Sequence, residues 1–499
     1  MRISRSSSEV RWLVTATVGS AVGTPGGSVT FLDGTTTLGT GPLSGGQATL
    51  TTSALTAGSH PLSAQYAGTA TFDPSTSPTV TATVNPATPG TVLNVNRGSA
   101  TCTNTGSGAG AAATPFCTIG AAAKKATAGF TVVVAAGTYP ESVTVPNSGT
   151  ATAPVTFTAA PGATVTLTGG SNGFSMSAKS WVVIRGFTVT ATVAAGISVS
   201  GGTNITIDGN HVTAVGHPVS GQAAVGIKLS ATTQSLVVGN TTDHNSDAGI
   251  YLTGSSSNTV RDNVSFANAR GYTRAAAGFD VRNGTGNLVY RNVSHDNEDS
   301  GFNAWTGTTS GSNAFFGNVA YANGDHGIDV HNAVDARVVA NTVVGNSDSG
   351  IEATTSTGTL LANNVSVDNG INSPRTSGNV RVDKASAATT TVNDDLVFLR
   401  TTGVMIDWNG VKYASLAAFR TATGQESRGL EGDPRFVATA SADFRLLAGS
   451  PAIDSANSGA PNQPAKDFDG NVRYDDAATV NTGIGPTTYV DRGAFEYRA

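Results

Sequence analysis

The sequence predicts an all-β chain: a right-handed parallel β-helix solenoid preceded by a small β-sandwich. Two observations carry this. Between Gly226 and Gly370 one phrase recurs, reading Gly226-Ile-Lys-Leu, Gly249-Ile-Tyr-Leu, Gly278-Phe-Asp-Val, Gly301-Phe-Asn-Ala, Gly327-Ile-Asp-Val and Gly350-Ile-Glu-Ala. Each copy is followed by an asparagine pair: Asn240/Asn245, Asn263/Asn268, Asn292/Asn297, Asn318/Asn323, Asn341/Asn346 and Asn364/Asn369. A period of about 23 residues marks stacked structural repeats. The apolar positions alternate as in a strand and do not recur at helical spacing, and the leucine-dense consensus of a leucine-rich repeat is absent. Coils such as Val182-Val-Ile-Arg-Gly-Phe-Thr-Val and Asn204-Ile-Thr-Ile-Asp-Gly-Asn210 extend the solenoid toward the N-terminus.

The remaining elements follow in order. From Val14 to Val84, short alternating segments broken by Gly, Pro and Asp turns read as a β-sandwich whose first strand is cut short. Residues 86–90 are a linker. Cys102 and Cys117 bracket a Gly/Ala/Ser-rich loop that has little else to hold it, which favours a disulfide and an oxidising, extracytoplasmic setting. Thr118 can cap a short helix over the open end of the solenoid, ahead of the first strands at Thr131-Val-Val-Val. The boundaries expected are 1–85 for the sandwich, 91–380 for the solenoid with its cap, and 381–499 for a closing region. In that region Asp467 and Asp469 are read as turn residues in preference to calcium ligands.

Composition excludes some partners. The chain carries a net charge of −5, only 12% charged residues and no Lys/Arg cluster, so nucleic acid is not expected. No apolar run reaches the length of a membrane span. The opening Met1-Arg-Ile-Ser-Arg is basic without an apolar stretch behind it, so the sequence is expected to begin inside a longer reading frame of a secreted or cell-surface protein. A monomer is expected. Asn263-Val-Ser, Asn292-Val-Ser and Asn364-Val-Ser match the glycan acceptor pattern, but asparagines at one phase of every coil are read as an internal amide ladder.

If the apolar residue after each repeat glycine points inward, the next points outward. That places Lys228, Tyr251, Asp280, Asn303, Asp329 and Glu352 in one outward column, and Ser230, Thr253, Arg282, Trp305, His331 and Thr354 in a second. Asp247, Asp299, Asp325 and Asp348, two residues before the glycine, form a third. Asp247 and Asp348 are assigned to ordinary turn chemistry. The others, with His326, concentrate charge on adjacent coils, and stacked like charges need a cation, a proton or a function to persist.

Several resemblances sharpen the reading. The first residues are similar to bacterial Ig-like repeats, on phrases such as Val29-Thr-Phe-Leu-Asp-Gly34, which implies a spacer or adhesion module. The solenoid start, with its Gly137-Thr-Tyr turn, resembles pectin-lyase-like proteins, and the segments Gly449-Ser-Pro-Ala-Ile-Asp454 and Asp491-Arg-Gly-Ala-Phe-Glu-Tyr497 resemble the closing region of secreted bacterial β-helix proteins. Asn323-Gly-Asp-His-Gly-Ile-Asp329 is similar to the Asn-x-Asp-Asp-Gly-x-Asp signature of family 9 pectate lyases, whose acids hold calcium; Asp325 and Asp329 match, and His326 replaces the second acid. That family's basic residue, expected near Glu352, is missing, with Arg282 the nearest substitute. His326-Gly-Ile-Asp-Val-His331 also resembles the Tyr-Gly-Phe-Asp-Pro-His core of mannuronan C5-epimerases.

These resemblances imply a lyase acting on an acidic polysaccharide by β-elimination. Asp299, Asp325 and Asp329 would hold Ca2+ with Asn303, while His326, His331 or Arg282 would move protons. Trp305, Asn303, Asp280 and Glu352 would contact sugar. A C5-epimerase, an inverting glycoside hydrolase using Asp299 with Asp329, and a non-catalytic adhesin are the rival expectations.

Overall fold

The computed structural model describes every residue except 1, 6–11, 21–22, 53–54, 56–57, 85–90, 217–222, 272–275, 306, 308–311, 372, 374, 376–377 and 499. The chain divides into two compact units, one built on Met1–Thr91 and the other on Val92–Thr150 and Pro154–Ala499. In the first, the strands Arg2–Arg5, Trp12–Thr17 and Gln47–Thr52 form an antiparallel sheet. A second antiparallel sheet contains Ser28–Asp33, Thr36–Pro42 and Gly58–Tyr66. Alternate residues Val14, Ala16, Val29, Phe31, Ala48, Ala64 and Tyr66 form its core, as period-2 patterning demands. The strand at Arg2–Arg5 precedes the first one expected from the sequence. The proposed linker lies outside the described residues.

The second unit is the solenoid. Among the described residues three sheets of twelve strands each run its length, and each coil between Thr131 and Trp408 contributes one strand to each sheet, while the last strand of the third sheet, Val411–Tyr413, turns back antiparallel. The first sheet runs from Val92–Val95 to Thr391–Asn393, the second from Gly137–Tyr139 to Leu430–Glu431, and the third from Val143–Thr144 to Val411–Tyr413. Six strands of the third sheet matter below: β1 (Phe279–Arg282), β2 (Phe302–Trp305), β3 (Ile328–His331), β4 (Ile351–Thr354), β5 (Val380–Val382) and β6 (Ile406–Trp408). Ile227, Ile250, Phe279, Phe302, Ile328 and Ile351 are register partners from coil to coil and at most 1% exposed, the internal stack expected. Register is strongly held because a one-residue slip would turn this whole set out to water.

Parallel pairing continues past residue 380, where the sequence repeat fades. At the coil of β5 the glycine phrase is replaced by Asn379, whose side chain closes the asparagine ladder. The periodicity is thus lost in letters while the pairing is kept.

Helix α1 (Ile119–Lys125) starts at Thr118, whose hydroxyl accepts from the Ala121 N–H, and its first amides Ile119 and Gly120 donate to the Glu141 carboxylate. Its Ile119, Ala122 and Ala123 join the solenoid core, covering the first coil. The Cys102–Cys117 disulfide is formed, with Cα atoms 5.0 Å apart, and closes a loop that contributes about 3 kcal/mol in the chain-entropy account. At the other end, helix α2 (Leu416–Thr423) buries Leu416 and Phe419, the latter packed on Trp408 and Tyr413. The chain after residue 436 lies along the outward face of the second sheet, where Phe436, Phe444, Ile453 and Phe495 cover Val319, Val344, Val365 and Leu396. Asp467 accepts from the Asn471 N–H, the turn role expected of it. Among the described residues no helix is long and apolar enough to cross a membrane.

The paired asparagines of the repeat form two unbroken amide ladders inside the turns, and Asn258, Asn287 and Asn313 form a shorter third. One passes Nδ2 to Oδ1 through Asn240, Asn263, Asn292, Asn318, Asn341 and Asn364, and the other through Asn245, Asn268, Asn297, Asn323, Asn346, Asn369 and Asn379. Asn263, Asn292 and Asn364 are fully buried, so the three acceptor patterns carry structure and no glycan.

The first ladder ends in acid. Asn364 donates to Asp395, whose own N–H donates to Glu426, and both carboxylates are fully buried. Burial raises Asp395 to about 7 and Glu426 well above the ordinary carboxylate range, Asp395 adding to the latter. The folded chain therefore holds protons that the unfolded chain releases, and this contribution to stability is lost as pH climbs from about 4 through about 7. Glu426→Gln keeps the acceptor without the titration. Its urea-unfolding free energy should fall less steeply over that window than the wild type's; parallel slopes would contradict the assignment.

Candidate active site

The third sheet carries the acidic face. Register pairing runs Lys228, Tyr251, Asp280, Asn303, Asp329, Glu352, Arg381 and Asp407, so the outward column expected from the sequence exists and extends two coils further. The third column is also present, for the Asp325 N–H donates to Asp299 O and the Asp348 N–H to Asp325 O.

Outward does not mean exposed here. Asp280 and Glu352 are only 4% and 5% exposed, because arginines fold over them: Arg282 Nε donates to both Asp280 oxygens at 3.0 and 2.8 Å, and Arg381 pairs with Glu352. Burial raises Asp280 to about 6 against the pull of Arg282. A basic residue, Arg381, stands beside Glu352 one coil on. Sequence reading missed it because β5 follows Asn379 where a repeat glycine was sought.

Arg282 lies 4.9 Å over the Trp305 ring and 5.8 Å from that of Tyr251, and Trp305 packs edge-on against His331 at 4.8 Å. The indole is 37% exposed, but Arg282 covers part of its face, so the sugar-stacking surface expected of Trp305 is reduced. His331 is half-buried, with Nδ1 2.9 Å from the Thr354 hydroxyl.

His326 departs from expectation. It is 7% exposed and does not line an open groove. Its Nε2 lies 3.2 Å from Asp325 Oδ1 and 3.0 Å from Glu352 Oε2, while Nδ1 stands 3.2 Å from the Ser349 amide nitrogen. Burial works against the cation, but the bond to Glu352 and the charges of Glu352, Asp329 and Asp325 prevail and raise its pKa to about 9. With both nitrogens engaged, His326 organises the carboxylates and has no lone pair to offer a substrate proton.

Asp348 also departs from expectation. It is 3% exposed and receives the Ser373 hydroxyl, and the Arg375 guanidinium bridges it to Asp325 at 2.7 Å each. Asp348 therefore belongs to the cluster and is more than a turn residue, whereas Asp247 bonds the next amide as a turn residue does. Asp348 is held below the usual carboxylate range, burial being outweighed by Asp325, Ser373 and Arg375. Asp325 is raised to about 8 by burial and Asp348, and Asp329 to about 7 by burial, with Glu352 and Asp299 adding to it against His326.

Two buried oxygens lack a hydrogen-bond partner side by side, Asn303 Oδ1 and Asp329 Oδ1, on paired positions of β2 and β3. Such orphaned acceptors are costly unless something positive meets them. Asp299 stands close enough for its charge to reach both Asp325 and Asp329. Asp325, His326 and Asp348 also bring donor atoms within 4.8 Å of one another, but Arg375 already neutralises that pair. Of the expected ligands Asp299, Asp325 and Asp329, only Asp325 belongs to that converging group; Asp299, Asn303 and Asp329 carry further oxygen donors, of the kind a hard divalent cation takes, to the same face.

Residues 5–85 match the bacterial Ig-like domain (group 3), and residues 99–387, more than half of the chain, match the Pel9A-like, right-handed β-helix region. The chain belongs to the Pel9A-like β-helix family. Among solved structures, this Pel9A-like chain is similar to pectate lyase Pel9A, at 16% identity and TM-score 0.51 over 83% of this chain and 98% of that one. It is also similar to a rhamnogalacturonan lyase, at 15% identity and TM-score 0.44 over 71% and 92%. The A-module of the Azotobacter vinelandii mannuronan C-5 epimerase AlgE4 matches at 15% identity and TM-score 0.40 over 56% and 87%. No curated protein matches the sequence.

Proposed function

We propose that this chain is a secreted lyase that cleaves an acidic, uronate-containing polysaccharide by β-elimination on the outward face of the third sheet. The observation that carries the reading is the orphaned pair Asn303 Oδ1 and Asp329 Oδ1, set among Asp299 and Asp325 and flanked by Arg282 and Arg381. The disulfide supports an oxidising location.

Elimination requires a uronate carboxylate to be neutralised so that its C5 proton becomes acidic, and then removal of that proton. Asp299, Asn303, Asp325 and Asp329 would hold a calcium ion, which would supply the positive charge for that neutralisation. Arg282 and Arg381, four coils apart and so separated by about 19 Å at about 4.8 Å per coil, mark the two ends of this face and would meet carboxylates several sugars apart along the solenoid axis. His331 is the base: Thr354 fixes one ring nitrogen, leaving Nε2 for the C5 proton. The C5–H electron pair becomes the C4–C5 double bond, the C4–O bond breaks, and the departing oxygen takes a proton. His326 positions Asp325 and Glu352. A C5-epimerase would share the abstraction and return a proton to the opposite face.

His331→Ala is expected to lower kcat on polyuronate by about a hundredfold or more with KM little changed, because a base acts on turnover and hardly on affinity. An unchanged kcat would remove His331 from the mechanism.

A further inference from the structure

The outward face of the third sheet does not end at the acidic cluster. Toward the N-terminus its register carries the column of Asp329 through Tyr251 and Lys228 to Ser198, Ser175 and Thr144. A parallel column, two residues along, reads Ser230, Ser200 and Ser177. Outward positions on these coils therefore carry hydroxyls and one lysine, and Thr144, Ser177 and Ser200 are exposed. The second sheet, by contrast, turns apolar and is covered by the closing segment. Hydroxyls donate and accept alike, so open rows of them suit a partner that is itself polar and periodic.

Thr144 also lines a cavity of about 820 Å3 at the capped end, together with Asn104, Ser107, Phe116, Lys124 and Glu141. This hollow is pre-formed. One wall is the loop closed by Cys102–Cys117, where Asn104 Oδ1 accepts from the Cys117 and Thr118 N–H groups. Lys125 Nζ donates to Ala109 O and lies 5.8 Å from the Phe116 ring, which ties the loop to α1. The Glu141 carboxylate is already taken by the first amides of α1. Lys124 is exposed, and among the described residues neither it nor the half-buried Lys228 has an ion-pair or hydrogen-bond partner. Both unpaired charges are positive, the sign that meets a uronate.

Thr144 and Asp329 lie seven coils apart, about 34 Å at about 4.8 Å per coil. Beyond Asp329 the column has only three coils left, at Glu352, Arg381 and Asp407, before Val411–Tyr413 turns back. The face is thus lopsided toward the cap.

We propose that the cavity is a distal subsite for a uronate-bearing stretch of the polysaccharide held at the acidic face, with the intervening sugars lying along the hydroxyl rows past Lys228. The identity of the glycan rests on the lyase reading; its path rests on the register and the cavity. A chain long enough to reach both places gains affinity, because its second contact is made at the effective concentration set by the first.

The experiment uses the full chain in a His331→Ala background and titrates it calorimetrically with pectate and alginate. Each is supplied as long polymer and as an oligomer too short to cover seven coils. The polymer should bind at least about tenfold more tightly per chain than the oligomer. Lys124→Glu, at an exposed position of α1, should remove that gain while leaving oligomer binding in place, and Ser107→Glu, on the opposite wall, should do the same. Lys466→Glu, on the closing segment, makes the same change in net charge away from this face and controls for general repulsion of a polyanion. Equal affinity for polymer and oligomer would overturn the subsite. So would a Lys124→Glu effect no larger than that of Lys466→Glu, or one that falls equally on both lengths. Unsaturated products from the wild type without any length dependence would sink the subsite and keep the lyase. A length gain lost in Lys124→Glu, with no such product, would keep the subsite and sink the lyase.

Discussion

Asp329→Ala should reduce turnover of an acidic polysaccharide by about a hundredfold or more, the loss typical of removing one preorganised charge at a reacting centre. The side chain sits at the middle of the outward column, between Asn303 and Glu352, with one oxygen buried and unpartnered. Burial raises its pKa to about 7, with the neighbouring carboxylates Glu352, Asp299 and Asp280 adding to it. Removing it relieves that repulsion, so the folded state should be no less stable while activity disappears. This combination separates a functional carboxylate from a structural one. An activity loss matched by a falling Tm would point instead to collapse of the face.

The second large effect is on stability. Asn292→Ala should destabilise the chain by about 4 kcal/mol, near the upper end for single substitutions. Asn292 Nδ2 donates to Val260 O and Asn318 Oδ1, and its Oδ1 accepts from the N–H and Nδ2 of Asn263. Alanine removes the side-chain partner of the buried Asn263 N–H and of the Val260 carbonyl and breaks the ladder at its middle, although Asn318 Oδ1 keeps the backbone N–H of residue 292 and Asn263 Nδ2 keeps Val237 O and Arg261 O. Urea unfolding should show a lower midpoint at unchanged m. A change within about 0.5 kcal/mol, the range of an ordinary surface substitution, would contradict the ladder's energetic role.

The solenoid was legible because one physical requirement repeats in every coil: an apolar residue at a fixed phase and an amide in the same turn. Ile227 through Ile351 could be aligned by eye, and alternation then placed Asp280, Asn303, Asp329 and Glu352 in one column. Arg381 and Asp407 belong to that column but were hidden, since Asn379 stands where the glycine had been and the spacing lengthens. Helix α2 carried its own signature, a Ser415 cap accepting from the Ala418 N–H and a left-handed Gly424 at its end, but it falls where the repeat no longer draws attention. The burial of His326 and the recruitment of Asp348 were illegible for another reason. Both depend on what the long side chains of Arg375 and Arg381 fold over, and alternation gives the direction of a side chain without its cover.

The account's central claim is that this face breaks a uronate chain by elimination. The most direct measurement is the ultraviolet absorbance of products when the purified protein is mixed with pectate, alginate or a glycosaminoglycan, with calcium and with chelator. The account predicts that on at least one of these, absorbance from a C4–C5 double bond grows in step with chain shortening, depends on calcium and vanishes in Asp329→Ala. Chain shortening without that absorbance, or binding without shortening on any of them, would contradict it.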